Sequence, residues 1–276
     1  MVTKKRYEVI RFVFSAIIAF LMFYPILTVL MGGFKEKGQI FSDPFGIPNP
    51  PTLQTFAEIL GATGTYWTLI FNSVYITGAT IAIVIVFAML ASAALSRIRI
   101  KGQKAIFNFF IMGLLFPLTV AILPLFLQLR SFGLIGSRWG VILTQAAFNL
   151  PISIFILTGF FRQIPFELQD ACSIDGGTIL TFFRKIMVPL STPVLATVTI
   201  IVFVASWNQF MLPLLVLSDT SHFTIPLGVM QYQGQYASGW NQIMAFITLS
   251  ILPVIIFYFA LQRYVIDGLT AGAVKG

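Results

Sequence analysis

The sequence predicts an all-α, polytopic integral membrane protein with six transmembrane helices. Of its 276 residues 58% are hydrophobic and only 9% are charged, whereas an average soluble domain carries about 25% charged residues. The apolar runs are continuous and long enough to supply the roughly 20 residues that a helix needs to cross a hydrocarbon core. A membrane β-barrel would instead show alternating segments of about 10 residues, so the runs exclude a barrel.

The six predicted spans belong to a single transmembrane domain, residues 1–276. Each span is a long apolar run between polar or charged segments, because lipid offers no partner for exposed backbone groups. The predicted spans are 12–33, 67–95, 105–128, 139–161, 192–217 and 241–262.

The first span is predicted to be retained. Its basic start resembles that of a signal peptide, but the uncharged stretch from Phe12 to Phe34 is longer than the roughly 7–15 residues of a signal-peptide core. No small-x-small cleavage site follows it.

The basic residues predict the orientation, since Lys and Arg mark cytoplasmic loops. With both termini in the cytoplasm, only four of the 17 Lys and Arg residues fall outside: Lys35, Lys37, Arg130 and Arg138. The inner segments then hold Lys4, Lys5, Arg6, Arg11, Arg97, Arg99, Lys101, Lys104, Arg162, Arg184, Lys185, Arg263 and Lys275. The loop between spans four and five is therefore expected in the cytoplasm.

A short amphipathic helix is predicted in the long outer loop. The stretch "DPFGIPNPPT" is rich in turn residues. After it, Leu53, Phe56, Ile59 and Leu60 would share one helical face.

No charged residue lies clearly inside a predicted span. This argues against a pump with an intramembrane carboxylate relay and favours a neutral solute or an external energy source. The uncharged polar candidates for a solute pathway are Gln145, Asn149, Trp207 and Asn208. Amides beside an aromatic ring suit a sugar, but amides also join neighbouring membrane helices, and both interpretations stay open.

Several functional classes are disfavoured by composition. A single cysteine, Cys172, permits no internal disulfide, and a single histidine, His222, excludes a His-rich metal site. The scattered basic residues do not indicate a nucleic-acid surface. No GxxxxGK[ST] phosphate loop occurs, so the chain is not expected to hydrolyse ATP. No catalytic residue, metal or cofactor is predicted either.

An acidic stretch, "ELQDACSIDGG", lies in the loop at about 164–190. A helix beginning at Pro165 would place Glu167 and Asp170 on one face near its N-terminus. Asp175-Gly176-Gly177 indicates a turn, and a second short helix is expected after it. The stretch could bind a metal, be a solvated loop or dock a partner, and docking is the favoured interpretation.

The stretch resembles the EAA loop of bacterial ABC importer permeases, whose core reads E-A-A, three residues, then G. The matching residues are Ile164, Pro165, Glu167, Leu168, Asp170, Ala171, Ile174, Asp175, Gly176, Phe182, Pro189, Leu190 and Pro193. Asp170, Cys172 and Gly177 depart from the pattern, where relatives have Glu, Ala and Ala. The segments "SFGLIGSRWGVIL", "SWNQFMLPLLV" and "QRYVIDGLTAGAVKG" also resemble maltose-transporter G-subunit-like permeases.

This resemblance implies a type I ABC importer permease fold and a sugar or oligosaccharide importer in the bacterial cell membrane. The partners it implies are a second homologous permease, two ATP-binding subunits and an extracytoplasmic solute-binding protein. It assigns the coupling contact with an ATPase to Glu167, Asp170, Ala171, Cys172, Asp175, Gly176 and Gly177. An ABC permease for a non-sugar solute is the alternative, and a membrane enzyme or a secondary transporter is a third hypothesis.

Overall fold

The computed structural model describes residues 2–61, 64–99, 101–235 and 239–273, with side chains at 7–61, 64–99, 101–231 and 239–262. This described part consists of helices and connecting loops and contains no strand. The side chains of Lys4, Lys5, Arg6 and Arg263, and Lys275 as a whole, lie outside it.

Fourteen α-helices are described within these ranges. They are α1 (Val2–Gly33), α2 (Gln39–Ser42), α3 (Gln54–Gly61), α4 (Thr65–Arg97), α5 (Gln103–Met112), α6 (Leu118–Ser131), α7 (Arg138–Phe161), α8 (Glu167–Ile174), α9 (Ile179–Phe182), α10 (Val188–Leu190), α11 (Thr192–Trp207), α12 (Met211–Val216), α13 (Ile225–Gln235) and α14 (Trp240–Ala273). A π-helical turn, Phe183–Met187, joins α9 to α10.

Four of these helices are long and apolar enough to span a membrane: α1, α4, α7 and the 240–262 part of α14. They correspond to the predicted first, second, fourth and sixth spans. Two bent helix pairs raise the number of candidate spans to six when each pair counts as one. The chain is thus an all-α, multi-pass membrane protein, as the sequence predicts.

The third predicted span, 105–128, differs from one straight helix. The axes of its two parts meet at 102°, and Phe116 between them is extended, with φ −93° and ψ 104°. Phe116 precedes Pro117, and the proline ring disfavours a helical conformation for the residue before it. By contrast, Pro25, Pro151 and Pro253 all lie inside continuous helices.

The fifth predicted span, 192–217, also differs from one helix. Helix α11 ends at Trp207, and α12 begins at Met211 after a short break. At its other end α11 continues, through a bend of 73°, from the helical segment Ile179–Leu190. The sequence stays largely apolar through both the break and the bend, so its hydropathy indicates neither of them.

The chain divides into two compact units, and the first comprises Met1–Trp67 and Gly228–Val254. Helix α3 forms in the predicted place, but its buried residues are Thr55, Phe56 and Ile59, while Leu53 is 68% exposed. Leu53 precedes the helix, which begins at Gln54, and on the buried face the side-chain amide of Asn241 donates to Thr55 Oγ1 at 3.3 Å.

The second unit comprises Thr68–Leu227 and Ile255–Gly276 and holds the larger apolar core. Its central cluster joins α4, α7 and α11 to the segment that follows α8. Fully buried members are Val84, Ala88, Ile154, Leu157, Phe161, Phe182, Met187, Val198 and Val202. The loop between the fourth and fifth spans is therefore packed onto the membrane helices through its second half.

Candidate functional site

The acidic stretch forms a short exposed helix, α8. It begins at Glu167, two residues later than the predicted start at Pro165, after the backbone N–H groups of Gln169 and Asp170 bond the carbonyl of Phe166. Glu167 and Asp170 lie in its first turn and are exposed. Carboxylates are favoured near a helix N-terminus, so the first turn of α8 accommodates two exposed acids without strain.

The glycine pair ends α8 in a Schellman motif. Gly176 has φ +78°, a left-handed conformation that glycine adopts without a Cβ penalty. The N–H of Gly176 donates to Ser173 O at 3.1 Å, and that of Gly177 donates to Cys172 O at 2.8 Å. These are the two bonds that define the motif, and they explain why the chain needs glycine after Asp175.

Two departures from the family pattern lie side by side in this motif. A Cβ atom added at Gly177 would fall 2.5 Å from Cys172 Sγ and 2.8 Å from Cys172 O. The larger residue at 172 is therefore matched by the smaller residue at 177. Ala171 and Asp175, the other small and acidic candidates here, are exposed.

The segment after the turn connects the exposed helix to the core. The hydroxyl of Thr178 accepts the backbone N–H of Thr181 at 3.3 Å and caps α9. Phe182 and Met187 are each 1% exposed, while Arg184 and Lys185 between them are exposed. These two buried side chains thus attach the segment that follows α8 to the core of the membrane helices.

Arg97 joins the end of α4 to the start of the loop. Its Nη2 donates to the carbonyls of Phe161 and Ile164, and its guanidinium lies 4.6 Å from the ring centre of Phe166. Cations favour a helix C-terminus, so Arg97 caps α7 directly before α8. The sequence indicated Arg97 only as a topology marker, and its position at a span end was the sole signal.

Gln145 lies in a buried polar cluster between membrane helices. Its Oε1 accepts bonds from the hydroxyls of Ser206 and, at 3.4 Å, Thr80, while Ser206 Oγ also bonds Thr77 Oγ1 at 3.3 Å. Its Nε2 is buried without a hydrogen-bond partner. The predicted neighbour Asn149 is half-buried and donates to Gln145 O at 2.8 Å. The two amides share one face of α7.

The other two pathway candidates lie at the end of α11. Trp207 is buried and stacks on Phe203, with ring centres 5.3 Å apart. Asn208 is exposed, and its amide donates to Val204 O of its own helix at 3.0 Å. Ser206, adjacent to Trp207, is the residue that connects this end to Gln145.

Asn72 fixes a segment that sequence reasoning did not place. It is fully buried, and its amide donates to Ser221 O at 2.8 Å and Phe223 O at 2.9 Å. Beside it, Ser73 Oγ accepts the N–H of Ile225 at 2.8 Å. Asp219 Oδ1 accepts the backbone N–H of Ser221, and this bond lowers the pKa of Asp219.

In the described residues, no three His, Cys, Asp or Glu side chains lie together as a metal site.

Comparison with known families gives one match over most of the chain. Residues 85–270 match the family described as binding-protein-dependent transport system inner membrane component. Full-length relatives have similar descriptions. A putative ABC transporter permease, ORF2, of Caldicellulosiruptor sp. (strain Rt8B.4) is 34% identical over 99% of this chain and 98% of its own.

Two further relatives carry named substrates. The arabinooligosaccharide transport permease AraQ of Halalkalibacterium halodurans is 33% identical over 95% of this chain and 94% of its own. The diacetylchitobiose uptake permease NgcG of Streptomyces coelicolor is 32% identical over 91% and 83%.

Among solved structures, a chain of a bacterial ABC transporter that imports the polysaccharide alginate has the same fold. It aligns with a TM-score of 0.83 and 24% identity, covering 95% of this chain and 98% of its own.

Proposed function

Because this chain belongs to the family of binding-protein-dependent transport system inner membrane components, we propose that it is a permease subunit of an ATP-driven sugar or oligosaccharide importer. The relatives named for arabinooligosaccharides and diacetylchitobiose align over nearly the whole chain. In this proposal the subunit forms half of the translocation pathway and hydrolyses no ATP itself.

The observation that carries the mechanism is the construction of the loop between α7 and α11. Its exposed end holds Glu167, Asp170 and Ala171, and its other end is buried through Phe182 and Met187. Such a loop can receive a push at α8 and pass it to the spans as a rigid body. We assign the ATPase contact to the seven predicted residues Glu167, Asp170, Ala171, Cys172, Asp175, Gly176 and Gly177.

The remaining partners follow from the family and from exposed apolar surface. The family name itself implies an external solute-binding protein. Every side chain of α1 from Tyr7 to Leu27 is exposed in the isolated chain, which suits burial against lipid and a second permease subunit. With one of the two ATP-binding subunits at the α8 helix of each permease, both termini of this chain lie in the cytoplasm.

The solute pathway is assigned to the four polar candidates. Gln145 supports this role through its unpartnered Nε2, and Asn149 and Asn208 have amide oxygens that can accept a sugar hydroxyl. ATP binding and binding-protein docking each favour one state of the permease pair, and this difference drives transport.

Reconstitution tests the proposal. The permease, its partner permease, the ATPases and the binding protein are placed in proteoliposomes with ATP on the ATPase side. Uptake of labelled oligosaccharides is measured against labelled amino acids and polyamines. We expect oligosaccharide uptake that requires both ATP and the binding protein. Uptake without the ATPases would overturn the proposed mechanism, and selective uptake of amino acids or polyamines would overturn the assignment to sugars.

A further inference from the structure

Arg97 is a buried cation without a charged partner. It is 7% exposed, and its Nε and Nη1 are buried without a hydrogen-bond acceptor. In the described part of the chain no carboxylate pairs with it. The ring of Phe166 offsets part of the desolvation, but a buried charge normally requires an anion. Arg97 therefore calls for an anionic ligand.

A polar cavity of about 440 Å³ lies beside this guanidinium. Its lining includes Arg97, Arg99, Gln103, Gln169 and Asp170. Two guanidinium groups against one carboxylate leave a net positive site, and guanidinium binds phosphate oxygens well. Gln169 Oε1 is buried and accepts no hydrogen bond, so a hydroxyl on the ligand would donate the missing bond.

An apolar cavity of about 170 Å³ is also lined by this arginine. Arg97 and Ile98 line both cavities, and the apolar one is otherwise walled by residues such as Ala94, Leu180 and Met187. Arg97 is also the last residue of a membrane-spanning helix, where basic side chains meet lipid headgroups. A ligand with an anionic head and an apolar chain fits both cavities.

We propose that Arg97 and Arg99 bind the phosphate of an acidic phospholipid whose headgroup carries hydroxyls. One acyl chain lies in the apolar cavity, and a headgroup hydroxyl donates to Gln169. Because Phe166 and Asp170 line the polar cavity together with the end of α4, the lipid joins α4 to the base of α8. The lipid content of the membrane then sets how firmly α8 is held.

Native mass spectrometry of the purified full chain in a neutral detergent tests this site. The probes are phosphatidylglycerol, phosphatidylcholine with the same acyl chains, and glycerol 3-phosphate. We expect phosphatidylglycerol to bind at least about tenfold more tightly than either of the others, because only it combines net charge with chains. If glycerol 3-phosphate binds equally tightly, the site belongs to a soluble phosphate and the assignment to a lipid is wrong.

Variants locate the lipid on the protein. Arg99→Gln should weaken the binding of phosphatidylglycerol by about tenfold, which is the usual effect of losing one charged hydrogen bond. Ala94→Phe, which fills the apolar cavity, should weaken the binding of phosphatidylglycerol but not that of glycerol 3-phosphate. Arg184→Gln is the matched control, since Arg184 is exposed and lines neither cavity. Arg97 itself is left intact because it caps α7.

Two results would overturn the site. An equal loss in Arg184→Gln would show only general attraction of the lipid to basic protein. Release of bound phosphatidylglycerol when the partner ATPase is added would show that the ATPase, rather than a lipid, occupies the cavity in the assembled importer.

Discussion

Gly177 donates its backbone N–H to the carbonyl of Cys172, and a Cβ at 177 would lie 2.5 Å from Cys172 Sγ. Two of the three residues that depart from the family pattern of the loop are thus in direct contact. The absence of a Cβ at Gly177 makes room for the thiol of Cys172, so the two departures are compatible within one turn.

The contact between Cys172 and Gly177 predicts that Cys172→Ala partly restores the stability lost in Gly177→Ala. Gly177→Ala should destabilise the chain by about 1–3 kcal/mol, the usual cost of overpacking. Cys172→Ala alone should be nearly neutral, and the double variant should recover part of the loss, because the Sγ contact disappears while the 2.8 Å approach to Cys172 O remains. Thermal unfolding in detergent measures all three. Strict additivity would contradict a direct contact.

Gly176 predicts a backbone effect with a different origin. Space around it is open, but its φ of +78° makes Gly176→Ala cost about 1–2 kcal/mol. Gly159→Ala is the matched control, since Gly159 also has open space but lies within α7 with an ordinary φ. We expect a lower unfolding temperature for the first variant only, and a loss of ATPase stimulation in the assembled importer. Equal effects would exclude conformational strain as the cause.

Asn72 predicts loosening of the segment around Ser221. Asn72→Ala removes two hydrogen bonds to backbone carbonyls, so unfolding should become easier by about 2 kcal/mol. Hydrogen exchange should rise at residues 219–225. Asn208→Ala serves as the control because its exposed amide bonds only its own helix. Unchanged exchange in Asn72→Ala would mean that this residue does not hold the segment.

Gln145 and Asn149 predict a separation of stability from transport. Gln145→Ala removes the oxygen that accepts from the hydroxyls of Ser206 and Thr80 and leaves Ser206 with only its 3.3 Å bond to Thr77, so we expect a loss of about 1–3 kcal/mol. Asn149→Ala removes one half-buried amide whose bond stays within α7, and stability should change little. A fall in sugar uptake for Asn149→Ala at unchanged stability would place this amide on the solute pathway. Normal uptake would remove it from the candidates.

Much of this architecture follows from local sequence signals. Apolar length located α1, α4, α7 and α14, and the spacing of Glu167 and Asp170 with the following glycines indicated α8 and its turn. These features depend on neighbours within a few residues. Apolar length could not show that Pro117 breaks the third span while Pro151 stays inside a helix, since surrounding helices decide which proline is tolerated.

The anchoring contacts were not predictable for the same reason. Arg97 reaches the carbonyls of Phe161 and Ile164, and Asn72 reaches Ser221, across long sequence separations. Each residue was visible as a polar or charged residue near a span end. Its partner could be identified only after the helices were packed.

The π-helical turn Phe183–Met187 has a consequence for the direction of α8. Phe182 and Met187 are both buried, although positions five apart on an α-helix point roughly 140° away from each other. The wider turn accommodates one extra residue and brings both side chains into phase with the core. Deleting Arg184 would leave four α-helical steps, about 400°, between the two side chains in place of one full turn, and would rotate everything before the turn by roughly 40°. The azimuth of the exposed helix is therefore set by the number of residues in this turn.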